Sequence, residues 1–314
     1  MDRNLALELV RVTEAAALAA ARLQGKGDPI AADRAAAAAM ELAVRGAKIT
    51  GHIVIGERDE IPDAVLRRGR TVGTGDEPEV DLVLDPLEGM ASLADGHANA
   101  ISAIALAPRG AFRAFETPYM RKIAVSADAA DVIDIGEPVF ETLVKIAEAK
   151  RVYVEDLTVA ILRRERHDAL IDEVRRAGAR IELVRDGDLA AAIAAALPGT
   201  GIDVTMGIGD TRQAVIAAAA LACLGGGFQG ELVRSNDGPQ DDDADYGRVF
   251  RIEDLTGDSN IMFAVTGVTH TPFLDGVSFR PGGAVTHSLV LRSKSGTIRV
   301  LRTEHFFDKE PDYT

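Results

Sequence analysis

The sequence contains a single cysteine, Cys223, among its 314 residues, so the chain can form no internal disulfide. Cys223 lies in the apolar stretch Ala219-Ala220-Leu221-Ala222-Cys223-Leu224, which predicts a buried helical position and argues against a role as a nucleophile. Long apolar runs are also missing, since none approaches the roughly 18 residues of a membrane-spanning helix. These absences predict a globular protein of the cytoplasm with no membrane partner.

Basic side chains are scarce, with 35 Lys and Arg against 49 Asp and Glu, which gives a formal net charge of −14. This charge repels nucleic-acid phosphates and anionic membranes, so we expect no nucleic-acid partner. The content of 47% hydrophobic and 27% charged residues is otherwise ordinary for a globular protein. A ligand that carries phosphate would therefore need local help from a metal ion or from a few placed arginines.

Patterning divides the chain into two predicted domains, residues 1–150 and residues 151–314. The first opens with an Ala-rich helix over 5–22, and Asp28 and Pro29 form the expected start of a second helix. Gly, Pro or Asp residues bound its expected strands. Those strands cover 52–55, 80–84 and 100–106. The first domain is predicted to be a sheet with helices packed on it.

The second domain alternates strands with helices. The predicted strands are 158–162, 180–184 and 202–206, and the predicted helices are 168–177, 189–196 and 211–224. Such alternation indicates a parallel sheet with right-handed crossovers, which binds ligands at the carboxyl ends of its strands. Strand-like alternation returns at 261–265 and 288–292. The predicted fold class is therefore α/β.

Two carboxylates three residues apart make Asp85-Pro86-Leu87-Glu88-Gly89 the most informative segment. The segment follows an apolar strand, and Pro86 and Gly89 predict a tight turn on which Asp85 and Glu88 converge. Carboxylate oxygens are the ligands that hard divalent cations prefer. The alternative is a plain acidic turn with its carboxylates in solvent.

Two further acids lie on other elements, Asp33 near the start of the second helix and Glu57 directly after the strand 52–55. If the fold brings all four acids together, they can hold Mg²⁺ or Mn²⁺, neutralise a phosphate and activate a water for attack on phosphorus. Taken singly, each is explained as well by a solvated helical aspartate or a turn glutamate.

Ordered motifs along nearly the whole chain carry a resemblance to a known family. They include Ile53-Val54-Ile55-Gly56-Glu57, Val72-Gly73-Thr74-Gly75, the segment from Asp85 to Gly89, Tyr119-Met120, Arg166-His167-Asp168, Asp186-Gly187-Asp188, Gly207-Ile208-Gly209 and Lys294-Ser295-Gly296-Thr297-Ile298-Arg299. In this order and spacing the chain resembles the class II fructose-1,6-bisphosphatases. The resemblance implies the αβαβα sandwich of the sugar phosphatases and metal-dependent hydrolysis of the 1-phosphate of fructose 1,6-bisphosphate, in carbohydrate metabolism and gluconeogenesis.

The resemblance also implies residue roles. The implied metal ligands are Asp33, Glu57, Asp85, Glu88 and Gln213, of which the four acids form the catalytic set. The implied holders of the sugar and its distal phosphate are Tyr119, Arg164, Arg166, Asp186, Asp188, Gly209 and Asp210. Guanidinium groups suit phosphate, and carboxylates suit sugar hydroxyls. The implied cofactor is Mg²⁺ or Mn²⁺, and the implied assembly is a homodimer or homotetramer.

The pair Gly207 and Gly209 allows two interpretations. Their backbone N–H groups could face a ligand at the start of the next helix, or the glycines could simply form a tight strand-to-helix turn.

Several positions depart from the family pattern. Met90 stands where a threonine is expected, Pro29 replaces a lysine, and Gln213 replaces a glutamate. The threonine hydroxyl would position metal and water, and the Met90 thioether cannot replace it because hard metals do not bind a thioether. Ser92 is the nearby residue that could supply a hydroxyl. The family's aspartate after Glu57 corresponds to Asp59 only with a shift.

The sequence predicts a diverged metal-dependent phosphatase that hydrolyses fructose 1,6-bisphosphate or a related sugar phosphate through a metal-activated water. Losing one transition-state hydroxyl or charge lowers a rate by about a hundred- to a thousandfold, so the departures leave two alternatives. One is a catalytically silent paralogue that binds a sugar phosphate as a sensor or partner. The other is a lyase or isomerase that reuses the metal pocket.

Overall fold

The structure, a computed structural model, describes residues 5–57, 61, 63–234, 245–257 and 260–308. The chain forms two compact units, one made of Met1–Phe112 with Ser259–Thr314 and the other of Arg113–Asp258. The boundary predicted near residue 150 falls inside the second unit, and the returning C-terminal strands belong to the first. The difference arises because strand pairing, rather than order along the chain, decides which sheet a strand joins.

Eight helices lie in the described part of the chain. They are α1 Leu5–Ala21, α2 Pro29–Arg45, α3 Met90–Ala94, α4 Val139–Lys150, α5 Asp168–Ala177, α6 Asp188–Ala196, α7 Thr211–Leu224 and α8 Ile252–Thr256. The predicted start of α2 is confirmed, since the Asp28 carboxylate accepts the Ala31 N–H at 2.9 Å and Pro29 is the first helical residue.

Fourteen strands are found in the same residues. They are β1 Thr50–Ile55, β2 Thr71–Val72, β3 Glu79–Glu88, β4 Ile101–Pro108, β5 Tyr119–Val125, β6 Thr158–Leu162, β7 Arg180–Val184, β8 Val204–Asp210, β9 Gly227–Leu232, β10 Val249–Arg251, β11 Met262–Gly267, β12 Ser278–Arg280, β13 Gly283–Arg292 and β14 Thr297–Phe306. Four of the predicted elements, β6, β7, α5 and α7, have the predicted bounds.

The sheet of the first unit has the strand order β12-β13-β11-β4-β3-β1-β2, and β14 pairs with β13. β1 and β3 run parallel, whereas the other neighbouring strands are antiparallel. Helices α1 and α2 pack against this sheet around a hydrophobic core that includes Leu9, Met40 and Leu84. The core therefore covers one face of the sheet. Because β1 and β3 are parallel, their carboxyl ends lie at the same edge of the sheet.

The sheet of the second unit has the order β10-β9-β5-β8-β6-β7. The parallel arrangement predicted for β6, β7 and β8 is confirmed. The sheet as a whole is mixed, because β5 pairs antiparallel with both β8 and β9. Periodicity could not reveal this, since it shows that a segment is a strand without showing its partner.

The predicted α/β layered class is confirmed, since both sheets are mixed and helices pack on them. Cys223 is buried in α7, as predicted. No helix among the described residues is long and apolar enough to span a bilayer.

Candidate active site

The segment from Asp85 to Glu88 is a strand end rather than the predicted tight turn. β3 continues through Glu88, and its pairing with β4 changes register, with Asp85 opposite Ala103 and Glu88 opposite Ile101. One extra residue on β3 therefore forms a bulge, which redirects the side chains around it. Pro86 explains the irregularity, because it has no N–H to give to the ladder.

Gly89 turns the chain from β3 into α3. Its φ of 83° lies in the left-handed region, and an added Cβ would lie 2.9 Å from the carbonyl oxygen of Asn99. Both the conformation and the space require glycine. The turn that the sequence predicted is therefore present one residue later, at the start of α3.

Glu57 lies at the same sheet edge as the end of β3. The two parallel strands place Ile55 opposite Val83, so the residues that follow them meet at one edge. The buried Glu57 carboxylate accepts the Leu66 N–H at 2.6 Å. Asp33 is buried on α2, which packs against both β3 and α3. Topology thus directs all four predicted acids to one region of the first unit.

The donor chemistry of these acids fits a hard divalent cation, because all of their ligand atoms are oxygens. Asp33, Glu57 and Glu88 are 6%, 8% and 1% exposed, and carboxylates so deeply buried require compensating charge or hydrogen bonds. Within the described residues, no three His, Cys, Asp or Glu side chains lie close enough together to hold a metal ion. The described residues therefore supply carboxylates that suit a metal ion, but their side chains do not form a complete set of ligands.

The residues that depart from the family pattern have structural roles of their own. Met90 begins α3 and packs, partly buried, against the hydrophobic core of the first unit. Ser92 is buried in the same helix. Gln213 lies half-buried in the first turn of α7, in the second unit. Asp59 lies outside the described residues.

The predicted sugar-binding residues gather at the carboxyl ends of three strands in the second unit. Arg164 and Arg166 follow β6, Asp186 and Asp188 follow β7, and Gly209 and Asp210 end β8. Because β6 is parallel to both β7 and β8, these ends lie at one sheet edge. This is the position that ligands usually take in such sheets.

Arg166 and Tyr119 lie against each other at this edge. The guanidinium carbon of Arg166 is 5.5 Å from the centre of the Tyr119 ring, and its Nε and Nη2 donate to the Ile208 carbonyl at 3.2 and 2.9 Å. Tyr119 is directly opposite Asp210 in the β5–β8 pair. Arg164 donates to the Arg185 carbonyl at 2.8 Å. Two exposed guanidiniums are therefore held in place by backbone carbonyls, as a phosphate-binding surface requires.

Gly207 and Gly209 are strand residues, so the strand-to-helix turn, one of the two interpretations of this pair, does not apply to them. Both lie in β8, opposite Lys122 and Met120 of β5. A Cβ on Gly209 would overlap the Asp188 carboxylate, and one on Gly207 would lie 3.0 Å from the His167 ring. Glycine is required at both positions because the side chains of Asp188 and His167 pack closely against this strand.

Lys122 was not predicted as a site residue, and it forms a buried ion pair with Asp188. Its Nζ lies 2.6 Å from Asp188 Oδ2, and each side chain is 6% exposed. Nζ also donates to the Asp210 carbonyl at 3.5 Å. The sequence contained one signal for this role: Lys122 lies two residues after the buried Met120, and therefore on the same face of β5. Lys122 thus holds Asp188 and the end of β8 together.

His167 is a second residue whose role was not predicted. Its Nε2 accepts the Ile208 N–H at 2.8 Å, so the proton resides on Nδ1, which donates to the Leu162 carbonyl at 2.7 Å. Burial lowers the pKa of His167, which keeps the ring neutral. The ring therefore joins the ends of β6 and β8 next to Arg166.

Asp210 is already engaged by its own helix. Its Oδ1 accepts the Arg212 N–H at 2.8 Å and so caps α7, while Oδ2 lies 2.8 Å from the Arg212 guanidinium. Capping fixes the carboxylate relative to the strand end.

A cavity of about 280 Å³ also borders Arg166 and His167, between the second sheet and the helices α4 and α5. Its lining includes the acids Asp134, Glu137 and Glu173. The basic side chains Arg121, Lys122 and Arg166 also line it, so its charges are of both signs, whereas the strand ends present the exposed guanidiniums of Arg164 and Arg166.

Comparison with known proteins decides the family. Residues 3–305 match the family described as bacterial fructose-1,6-bisphosphatase, glpX-encoded. The chain belongs to this family. It is 36% identical over 330 residues to fructose-1,6-bisphosphatase 1 class 2 of Escherichia coli strain K12, covering 99% of this chain and 98% of that protein. The fructose-1,6-bisphosphatase class 2 of Shigella flexneri has the same identity and coverage.

The class II fructose-1,6-bisphosphatase resemblance inferred from the motifs is thereby confirmed, and it places the chain among the phosphoric monoester hydrolases. The match spans both units and every candidate residue. The role of each individual residue stays a prediction.

Replacing Lys122 with Met is expected to destabilise the protein strongly, because Asp188 would keep a buried charge without its cation. Loss of one partner from a buried ion pair typically costs about 3–5 kcal/mol. Urea unfolding would measure the loss. Lys145→Met is the matched control, since the side chains of the Lys145–Glu137 pair are 43% and 27% exposed, against 6% for each partner of the Lys122–Asp188 pair. Equal stability of the two variants would show that the buried pair contributes nothing.

Stability is expected to fall below about pH 6.5 through His167. Because its pKa is lowered in the folded state, the unfolded chain binds more protons, and folding loses up to about 1.4 kcal/mol between pH 7.5 and 5.5. His167→Gln lacks this contribution, so its stability should approach that of the natural chain as the pH falls. Urea unfolding at both pH values tests this, with the exposed His270→Gln as control. A stability gap that stays constant with pH contradicts the assignment.

Proposed function

We propose that the chain is a metal-dependent phosphatase that hydrolyses the 1-phosphate of fructose 1,6-bisphosphate or a related sugar phosphate. The observation that carries the proposal is the match to class 2 fructose-1,6-bisphosphatases over 99% of this chain. The carboxylates of the first unit and the arginines of the second supply the two kinds of group that such a substrate needs.

The first unit would bind the cation, Mg²⁺ or Mn²⁺, through Asp33, Glu57, Asp85 and Glu88. The role of Gln213 as a metal ligand stays a prediction from the resemblance. A divalent cation in such a site polarises a phosphoryl oxygen and makes a bound water more acidic. The bulge in β3 and the Gly89 turn shape the segment that carries Asp85 and Glu88.

The second unit would bind the sugar and its distal phosphate. Arg164 and Arg166 are oriented through backbone carbonyls and can donate to phosphate oxygens. Asp186 and Asp188 accept hydrogen bonds from sugar hydroxyls, and the ion pair with Lys122 holds Asp188 in position. Tyr119, Gly209 and Asp210 border the same edge. The homodimer or homotetramer and the cytoplasmic location stay predictions.

Phosphate release from fructose 1,6-bisphosphate is expected in the presence of Mg²⁺ or Mn²⁺. Asp85→Asn should lower kcat by about a hundredfold or more, because it removes a charged ligand. Glu79→Gln is the matched control, since Glu79 is an exposed acid on the same strand. No release from any sugar bisphosphate with either metal, together with tight sugar-phosphate binding, would replace the proposal with the silent binder. Substrate consumption without phosphate release would indicate a lyase or isomerase.

Met90→Thr is expected to raise kcat by roughly a hundredfold, because it supplies the hydroxyl that positions the attacking water. Met90→Val is the control, since valine has the shape of threonine and no hydroxyl. Measurement of kcat for the three chains separates the hydroxyl from the change in packing. Equal rates for the Thr and Val variants would show that the hydroxyl does not limit this chain.

A further inference from the structure

The strand β14 forms a long edge of the first sheet. It pairs with β13 over all ten of its residues without a shift in register, and with no other strand in the described part of the chain. Its sequence, Thr297-Ile298-Arg299-Val300-Leu301-Arg302-Thr303-Glu304-His305-Phe306, contains no proline, glycine or lysine. Monomeric proteins usually protect an edge strand with proline, charged side chains or a bulge. β14 has no proline or bulge, and its charged residues are Arg299, Arg302 and Glu304.

The backbone groups of alternate residues along β14 point away from β13. Phe307 donates its N–H to the Gly282 carbonyl at 2.9 Å, one step beyond the Gly283–Phe306 pair. In an antiparallel ladder this makes the odd-numbered residues bond to β13. From Ile298 to Glu304, the even-numbered residues therefore direct their N–H and C=O groups to the open edge.

The side chains of the same even-numbered residues share one face. Leu301 packs against the core of the first unit, so its neighbours in sequence point to the opposite side. On that side Ile298 is 48% exposed and Val300 is 70% exposed. Arg302 and Glu304 continue the row, with each side chain 47% exposed. Apolar groups and both signs of charge thus follow the open edge.

We infer that β14 pairs antiparallel with β14 of a second copy of this chain, about a two-fold axis at Thr303. This register places Arg302 opposite Glu304 of the partner subunit, and the reverse, which gives two pairs of opposite charge. It also places Val300 opposite the partner's Phe306, and β-branched and aromatic side chains pair favourably across strands. The paired residues are those whose backbone groups point to the open edge.

Other two-fold registers are less favourable. An axis at Arg302 pairs two arginines, and an axis at Glu304 pairs two glutamates, which is repulsive. An axis at Leu301 puts Arg302 against Val300 and Glu304 against Ile298. The charge pattern is therefore complementary to itself at Thr303, which favours a second copy over an unrelated peptide strand.

Two single variants, each with one charge reversed, test the pairing. Arg302→Glu alone would face glutamate with glutamate, and Glu304→Arg alone would face arginine with arginine. Each is expected to weaken self-association by on the order of tenfold to a hundredfold. Mixing the two variants should restore association, because each mixed pair again has opposite charges. Sedimentation equilibrium of the natural chain, each variant and the mixture measures these constants.

The mixture separates this inference from a role within one chain. Arg302 donates to Glu304 of the same strand at 2.7 Å, and both variants lose that contact whether or not they are mixed. Restored association in the mixture therefore requires contact between subunits. A natural chain that stays monomeric, or variants that associate as tightly as the natural chain, would overturn the inference, as would a mixture no tighter than its components.

A cysteine at the axis gives an independent readout. Thr303→Cys, in a Cys223→Ala background, should form a disulfide-linked dimer on mild oxidation, since residue 303 faces its own copy. Arg299→Cys is the control on the same strand face, and its partner in this register is residue 307. Equal cross-linking of both variants, or of neither, would refute the register. These experiments measure assembly and are independent of phosphatase activity.

Discussion

Buried charge is the constraint on which the candidate residues of each unit depend. In the second unit, Lys122 and Asp188 are buried together, and the ion pair is accommodated only because Gly209 has no side chain. In the first unit, Asp33 on α2 and Glu57 and Glu88 at one sheet edge are buried carboxylates. A buried charge is tolerated when a partner compensates it. In the second unit Lys122 compensates Asp188, and the oxygen atoms of the acids in the first unit suit a hard divalent cation.

Residues that sequence reasoning treats as turn formers act here as strand residues. Pro86 interrupts a ladder next to the bulge, so Asp85 is in the last regular pair of β3 and Glu88 follows in the shifted register. Gly207 and Gly209 leave room for His167 and Asp188 against β8. In each case the small or restricted residue meets a requirement set by a neighbouring segment. That segment is close in space but distant in sequence, so a turn interpretation based on nearby residues could not include it.

Predictions from the sequence were most accurate for features that depend on residues close together in the chain. The Asp28 cap and Pro29 start of α2, and the bounds of α5, follow from capping and periodicity within a few residues. The antiparallel positions of β5 and β9, and the return of β11, β13 and β14 to the first sheet, depend on partners far along the chain. Lys122 and His167 escaped notice for the same reason, since their partners lie on other elements.

The sequence by itself determined the family, the α/β class and the kinds of chemical group available, because motif order and composition are properties of the chain. Tertiary structure decided which residues hold those groups in place: Lys122 against Asp188, His167 between β6 and β8, and carbonyl oxygens under Arg164 and Arg166. It also decided which strand is left at an open edge. These outcomes depend on burial and on pairing between distant segments, which no local pattern of residues encodes.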